Sequence, residues 1–320
     1  MRKRLNVTII NFRAPQLVFD CLETLRTELD LARDCAVIVD NDSGDGSVDV
    51  IEAGLNDRGF TGWTQFVRSP KNGGFSWGNN VGIKACDADY YLLLNSDTLV
   101  RPGAIASMLR GIESDQKIGL LGPRLEWPDA APQNSAFRYP SPVTEFLQAA
   151  ATGPLDKIFR AHLVSPPLSD VAVPAQWVSF ACVLIRREVI EQIGLMDEGY
   201  FMYFEDIDYG RTAAKAGWKI QYWPEAHVVH LRGGSGPVKS LTAARKRRPR
   251  YYYASRTRYY AKFYGILGLW FANILWTLGR SISRLRELAR HKQPHTCERE
   301  GLDIWTNALN PLKPFLEDKQ

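Results

Sequence analysis

Apolar and polar positions follow two different rhythms along the first 125 residues. Short aliphatic and β-branched runs fall at residues 5–12, 35–41, 62–68, 89–95 and 118–122, lengths that suit strands. Between several of them lie segments with helical spacing, Leu17–Leu31, Ser76–Lys84 and Pro102–Ile112. Strands alternating with helices predict an α/β fold with a mostly parallel, Rossmann-like central sheet flanked by helices. Ligands of such sheets gather at the carboxyl ends of the strands. Polar residues stand at those ends here: Asn11, Asp40 with Asn41, Arg68, and Asn95-Ser96-Asp97. Their loops are expected to converge on one crevice.

Residues 128–176 are rich in Pro, Ala and Ser without firm periodicity and read as an irregular connection with one helix near 143–151. Ordered structure is expected to resume with a buried strand at 177–185, a helix from Asp206 to Gly217, and an apolar run at 219–230. The pattern divides the chain into an α/β domain at 1–240, whose ordered parts are about 1–125 and about 175–240, and a basic, partly hydrophobic helical extension at 241–320. Inside the extension, residues 263–279 are an uncharged stretch of 17 containing two Trp and three Gly, short of the ~20 residues of a spanning helix. Basic residues on both sides suit a helix lying in a membrane interface; a helix packed on the protein core is the other reading.

Composition adds constraints. At 320 residues and 45% hydrophobic content, a core can form without disulfide or metal staples. Five scattered cysteines, none in a Cys-x-x-Cys pair, predict a reduced, cytoplasmic protein, and the basic N-terminus shows no signal peptide. Charge is divided unevenly. Residues 1–230 hold 22 Lys and Arg against 29 Asp and Glu, and residues 231–320 hold 18 against 6. The tail includes Arg245-Lys246-Arg247-Arg248-Pro249-Arg250, then Tyr251-Tyr252-Tyr253 and Tyr259-Tyr260, a band suited to an anionic surface.

Four segments carry candidate chemistry. Asp40-Asn41-Asp42-Ser43 opens a Gly-containing turn whose carboxylate can accept from a base imide or a ribose hydroxyl; an Asx-rich turn with Ser47 capping a helix explains the same residues. Pro70–Asn80 opens a helix with glycines and amides but lacks the Lys-Ser/Thr ending of a P-loop. An apolar strand delivers Asn95 and Asp97 to its end, an oxygen-rich pair suited to Mg²⁺ or Mn²⁺ beside substrate phosphates. His230 is a candidate further ligand, and His227 a weaker one. Finally, Tyr200–Asp208 sets Glu205, Asp206 and Asp208 behind large apolar rings. Burial there makes a usable general base, or the acids simply favour the first turn of a helix.

Asp40-Asn41-Asp42-Ser43, Asn72-Gly73-Gly74-Phe75 with Gly78-Asn79-Asn80, Asn95-Ser96-Asp97, Tyr203–Asp208 and His230 occur in an order that resembles family 2 glycosyltransferases, in particular their bacterial rhamnosyltransferase-like and galactofuranosyltransferase-like group. The resemblance spans about residues 6–260. It implies a GT-A fold and inverting transfer from a nucleotide-sugar donor, dTDP-rhamnose or a UDP-sugar, to a glycan or polyprenyl-linked acceptor in cell-surface polysaccharide synthesis. It makes 1–240 the catalytic domain, with about 1–125 its nucleotide and metal half and about 175–240 its acceptor half, while the basic, partly apolar tail adds the expectation of work at the cytoplasmic face of the cell membrane, peripherally on an anionic surface. By the same resemblance Asp40 contacts the nucleotide base, with Asn41, Asn72, Gly73, Asn80 and Asn95 around the donor. Asp97 and His230 would hold Mn²⁺ or Mg²⁺, Asp206 would be the general base, and Glu205 a supporting carboxylate. Two positions depart from the family pattern: Ser96 stands where proline is common, and Phe180 where glycine is usual, so its ring is expected to narrow the pocket. Two rivals remain. A sugar nucleotidyltransferase would need a Gly-rich, basic N-terminal loop that this chain lacks. Nucleic-acid binding through residues 245–262 leaves the acidic crevice unexplained, so no nucleic acid is expected.

Overall fold

The computed structural model describes residues 2–232, 237–289 and 293–315. Among them twelve strands form: β1 (Lys3–Asn11), β2 (Asp34–Asp40), β3 (Thr64–Arg68), β4 (Ala88–Asn95), β5 (Thr98–Val100), β6 (Ile118–Glu126), β7 (Pro132–Gln133), β8 (Ala136–Phe137), β9 (Val173–Pro174), β10 (Trp177–Val178), β11 (Cys182–Arg186) and β12 (Lys219–His230). The helices are α1 (Pro15–Arg26), α2 (Ser47–Asp57), α3 (Gly74–Ala85), α4 (Ala104–Glu113), α5 (Pro142–Ala150), α6 (Gly153–Ile158), α7 (Arg187–Ile193), α8 (Glu205–Lys215), α9 (Val238–Ala243), α10 (Arg250–Leu288) and α11 (Glu300–Asp303). Ten strands share one sheet, ordered β3-β2-β1-β4-β11-β6-β12-β5 with β7 on β6 and β9 on β12. The four strands from β3 to β4 are parallel. Beyond them the sheet is mixed, because β11 runs antiparallel to both β4 and β6.

Chain contacts divide the molecule into two compact units. The first, Met1–Phe137, Pro167–Glu198 and Asp206–Ser235, contains the sheet. Strand β4 shows how its layers arise: side chains alternate across a strand, so Leu92 and Leu94 join Leu22 of α1, Ile51 of α2 and Met108 of α4. Tyr91 and Leu93 join Ile83 of α3, Val189 of α7 and Tyr209 of α8 on the other face. The helices therefore sandwich the sheet. Cys35 at the start of β2 and Cys86 just after α3 form a disulfide, which corrects the expectation that the scattered cysteines stay reduced. A crossover helix brings positions 51 residues apart together, and spacing alone does not reveal that.

The second unit comprises Arg138–Pro166, Gly199–Glu205 and Gly236–Gln320. Its spine is α10, interrupted at Gly265, whose φ of 71° and ψ of 176° break the helical path. That left-handed φ suits glycine alone among common residues. After the break, Leu269, Ala272, Asn273, Trp276, Gly279 and Ser283 form the buried face. At Gly279 an added Cβ would lie 2.4 Å from the Phe146 carbonyl oxygen and 2.9 Å from the Ala150 nitrogen of α5. Gly279→Val is therefore expected to cost roughly 1–3 kcal/mol or more through overpacking against backbone, read as a lower midpoint in thermal unfolding.

Asn273, the one amide in the uncharged stretch, is buried. It accepts from Arg256 at 2.8 Å and donates to the Ile304 carbonyl at 3.1 Å, while Arg256 pairs with Glu145 at 3.0 Å. The opposite face of the same helix carries exposed Leu267, Phe271, Ile274 and Leu278. The segment is thus packed on one side only, and among the described residues no helix is long and apolar enough to cross a membrane.

Candidate active site

Parallel register places the polar strand ends side by side. Asn11 of β1 pairs with Asp40 of β2, Asp40 with Arg68 of β3, and Ile10 with Asn95 of β4. Asp40 is 2% exposed and closes its own turn: Oδ1 accepts from Asn11 Nδ2 at 2.7 Å and Ser43 Oγ at 2.6 Å, and Oδ2 from the Ser43 amide at 3.1 Å. Oδ2 keeps spare accepting capacity. Asn41 donates to Asn72 Oδ1 at 3.0 Å and to the Gly74 carbonyl at 3.1 Å, tying the β2 turn to the start of α3. Its own Oδ1 is buried without a hydrogen-bond partner among the described residues, an arrangement that costs free energy unless a ligand donor arrives. Gly73 caps α3, and its bare Cα leaves room for Trp77, whose Cγ would lie 2.3 Å from a Cβ there.

Asn80 is placed differently from its neighbours. Its carboxamide accepts from the Met196 amide at 3.0 Å and donates to the Met196 carbonyl and Glu198 Oε1, both at 2.9 Å. At 1% exposure it is fully committed to bracing the 196–198 turn.

Asp97 and His230 meet through sheet pairing. His230 ends β12 opposite Thr98 of β5, and the Leu231 amide donates to the Asp97 carbonyl at 2.9 Å. His230 Nε2 stands 3.5 Å from Asp97 Oδ1, with both side chains almost fully buried, and His230 Nδ1 has no hydrogen-bond partner among the described residues. One carboxylate plus one imidazole is a donor set that fits Mn²⁺. Among the described residues no group of three or more His, Cys, Asp and Glu could hold a metal. The pair therefore fits an ion that takes its remaining ligands from substrate phosphates and water.

Asp206 connects to the same strand end through a short relay. The Asn95 amide donates to the Ala181 carbonyl at 2.9 Å, and the next residue back, Phe180, hydrogen-bonds the Asp206 carboxylate through its backbone. Asp206 keeps a partly exposed surface, yet burial of its carboxylate pushes its pKa up to about 7, against the opposing pull of backbone bonds at Ile207, Asp206 and Phe180. The ring of Phe180 is 2% exposed, packed in the core edge-on to Tyr209 at 6.1 Å. The expectation that this ring narrows the pocket is corrected: the backbone faces Asp206 and the side chain turns inward. Asp208 accepts from Thr212 at 3.3 Å one turn along α8, as a helix-stabilising acid does.

Glu205 belongs to the second unit and is 7% exposed. The residues before it are strained, with φ of 70° at Tyr203 and 69° at Phe204, a conformation that costs on the order of 1–3 kcal/mol per residue and persists where surroundings enforce it. Stacking of Tyr203 on Tyr251 and edge contacts of Phe204 with Tyr252 supply that enforcement. Tyr200 and Phe201 are core residues at 0% and 7% exposure, whereas Tyr203 and Phe204 stay half-buried. Only the tyrosines of the basic band are internal: Tyr253, Tyr259 and Tyr260 are buried, whereas Arg245, Lys246, Arg247 and Arg250 are exposed, Arg247 binding Asp303 and half-buried Arg248 binding Glu300.

Sequence reasoning missed Arg232. Its side chain bonds Gln133 Oε1, lies 5.5 Å from the Trp127 ring centre, and feels the Asp97 charge, while burial lowers its pKa. Gln133 in turn donates to the His230 carbonyl at 2.8 Å. A guanidinium two residues past His230 was visible in the sequence, but only the fold brings it within electrostatic reach of Asp97. His227 is accounted for otherwise, bonded to buried Glu126 at 2.9 Å.

Comparison with known proteins follows the same lines. Residues 3–254 match the profile described as glycosyltransferase like family 2. Over 203 residues the chain is 31% identical to the N-acetylglucosaminyl-diphospho-decaprenol L-rhamnosyltransferase of Mycobacterium tuberculosis, covering 61% of this chain and 62% of that protein. Over 166 residues it is 25% identical to the rhamnosyltransferase WbbL of Escherichia coli, covering 49% and 60%. The chain thus spans about three fifths of the length of these relatives. Similar solved structures are GalNAc-T7 with UDP, GalNAc and Mn²⁺ (TM-score 0.60, 13% identity, 98% of this chain and 55% of that one) and the mannosyltransferase PcManGT of Pyrobaculum calidifontis with GDP-Man and Mn²⁺ (TM-score 0.55, 12% identity, 100% and 89%). The fold is that of GT-A glycosyltransferases.

Proposed function

The chain belongs to the glycosyltransferase-like family 2 and is a transferase, and from that premise we propose that it moves a sugar, rhamnose foremost, from a nucleotide-diphosphate donor to a hydroxyl of a lipid-linked glycan. The reaction inverts the anomeric carbon and serves cell-surface polysaccharide synthesis at the cytoplasmic membrane face. The observation that carries this reading is the relay from Asn95 through Ala181 and Phe180 to Asp206, which ties a proton acceptor to the strand end bearing Asp97. Two similar proteins are named for rhamnosyl transfer, and the Mn²⁺ of the similar structures accords with the Asp97 and His230 donor set.

Each residue then has a task. Asp40 Oδ2 and Asn41 Oδ1 offer acceptors to the imide N–H of a uracil or thymine base, with Asn72 and Gly73 fixing the adjoining loop and Asn80 holding the 196–198 turn. A divalent cation, when bound at Asp97 and His230, neutralises charge on the departing diphosphate. Arg232, within electrostatic reach of Asp97, adds a fixed positive charge to the same region. Asp206 takes the proton of the acceptor hydroxyl while that oxygen attacks the anomeric carbon, so one displacement suffices and no covalent intermediate forms. Glu205 supports the acceptor side.

A donor panel tests the reading by nucleoside diphosphate release with Mn²⁺ and a polyprenyl-diphosphate N-acetylglucosamine acceptor. dTDP-rhamnose is expected to turn over fastest, and EDTA to stop it. Pyrophosphate formation from a nucleoside triphosphate and a sugar phosphate would instead identify a nucleotidyltransferase.

A further inference from the structure

We propose that the second unit docks on an anionic lipid bilayer through the exposed face of α10 beyond Gly265, with an arginine-lined groove beside that face receiving lipid phosphates. This deepens the lipid-linked acceptor reading, which supplies its purpose; its geometry stands on separate residues. Leu267, Phe271, Ile274, Leu278 and Leu285 are 74%, 52%, 51%, 52% and 68% exposed. Their spacing by three, four and seven puts them on one stripe of the helix, opposite the face packed on α5. Monomeric proteins rarely leave so continuous an apolar stripe in water.

The neighbouring groove identifies the occupant. A cavity of about 430 Å³ is lined by Arg280, Ser281, Arg284, Arg299 and Leu302, among others. Arg280 is held by Glu287 at 2.6 Å, whereas Arg284 and Arg299 have no carboxylate partner among the described residues. Ser281 and Arg284 follow Leu278 by three and six positions, so the groove borders the stripe. From Leu231 to Arg286 the sequence has 13 Lys and Arg and no Asp or Glu. A second copy of this chain would bring the same positive charge to the contact and meet repulsion. An anionic headgroup layer complements both parts, taking the leucine and aromatic stripe into its acyl boundary and the guanidiniums among its phosphates. Trp270, 41% exposed beside the stripe, is the residue type that settles at that boundary.

Sedimentation of the full chain with phosphatidylglycerol–phosphatidylcholine vesicles, compared with phosphatidylcholine alone, tests the proposal. The wild type is expected to sediment with the anionic vesicles and to release as salt rises. Phe271→Asp with Leu278→Asp should weaken binding by roughly tenfold or more on both vesicle types. Arg284→Glu with Arg299→Glu, on a surface that tolerates charge, should abolish the preference for anionic lipid while the melting temperature holds. The proposal is overturned if the wild type stays in the supernatant, if either pair binds as the wild type does, or if the wild type is a dimer in solution that Phe271→Asp with Leu278→Asp dissociates. Nucleoside diphosphate release toward a water-soluble acceptor should keep the wild-type rate in all these variants. Loss of docking and loss of transferase chemistry are thereby read separately.

Discussion

Asp206→Asn is expected to lower sugar transfer by ~100-fold or more while donor binding persists, the range that general bases contribute. The carboxylate must be ionised to accept a proton, and burial raises its pKa to about 7. The wild-type kcat/KM should accordingly rise with pH and level off above about 7, and the residual activity of the variant should lose that limb. Stability should move the opposite way. The folded pKa lies above the value of 3.8 for a free aspartate, so the native state binds the proton more tightly, and the wild type loses stability as pH rises from about 4 to about 7. Asn carries no such charge. The variant is therefore expected to melt higher than the wild type at pH 8, by an amount on the order of a few kcal/mol at most, and to match it near pH 4. A variant with full turnover, or a flat wild-type pH profile across 6 to 8, would remove Asp206 from the reaction.

How much of this was legible in the chain follows from the range of each interaction. Strands β1, β2, β3 and β4 announce themselves by local apolar runs, and strand-end polarity is a local property as well, so Asp40, Asn95 and Asp97 could be picked out directly. The meeting of Asp97 with His230 depends on β12 pairing with β5, a contact across more than a hundred residues that only resemblance suggested. Phe180 was misjudged because composition shows the size of a ring and not its direction; the strand geometry near β11 turns it into the core. Arg232 went unseen for the same reason as the Cys35–Cys86 pair, since proximity created by the sheet leaves no trace in spacing. The 263–279 segment looked ambiguous between packing and lipid because its two faces differ, and a linear count of apolar residues averages them.

Asp97→Asn should abolish the metal dependence of donor affinity. With Asp97, one of the two ligands proposed among the described residues, weakened to a neutral amide, the site loses the anionic oxygen that a hard cation requires. Changes even to residues that merely support metal ligands cost about 10–100-fold in affinity, so loss of a ligand's charge should cost at least as much. Calorimetric titration with a nucleoside diphosphate, with and without Mn²⁺, reads this without any turnover. The wild type is expected to bind at least tenfold more tightly with the metal, and Asp97→Asn to bind equally in both conditions. Arg232→Gln supplies the contrast. Its fixed charge interacts electrostatically with Asp97 and in the proposed role acts on the diphosphate whether or not a cation is present, so its removal should weaken binding at every metal concentration and leave the ratio between the two conditions intact. The two variants thus separate charge borne by the protein from charge recruited by it. An Asp97→Asn enzyme that still gained affinity from Mn²⁺ would place the cation elsewhere in the site.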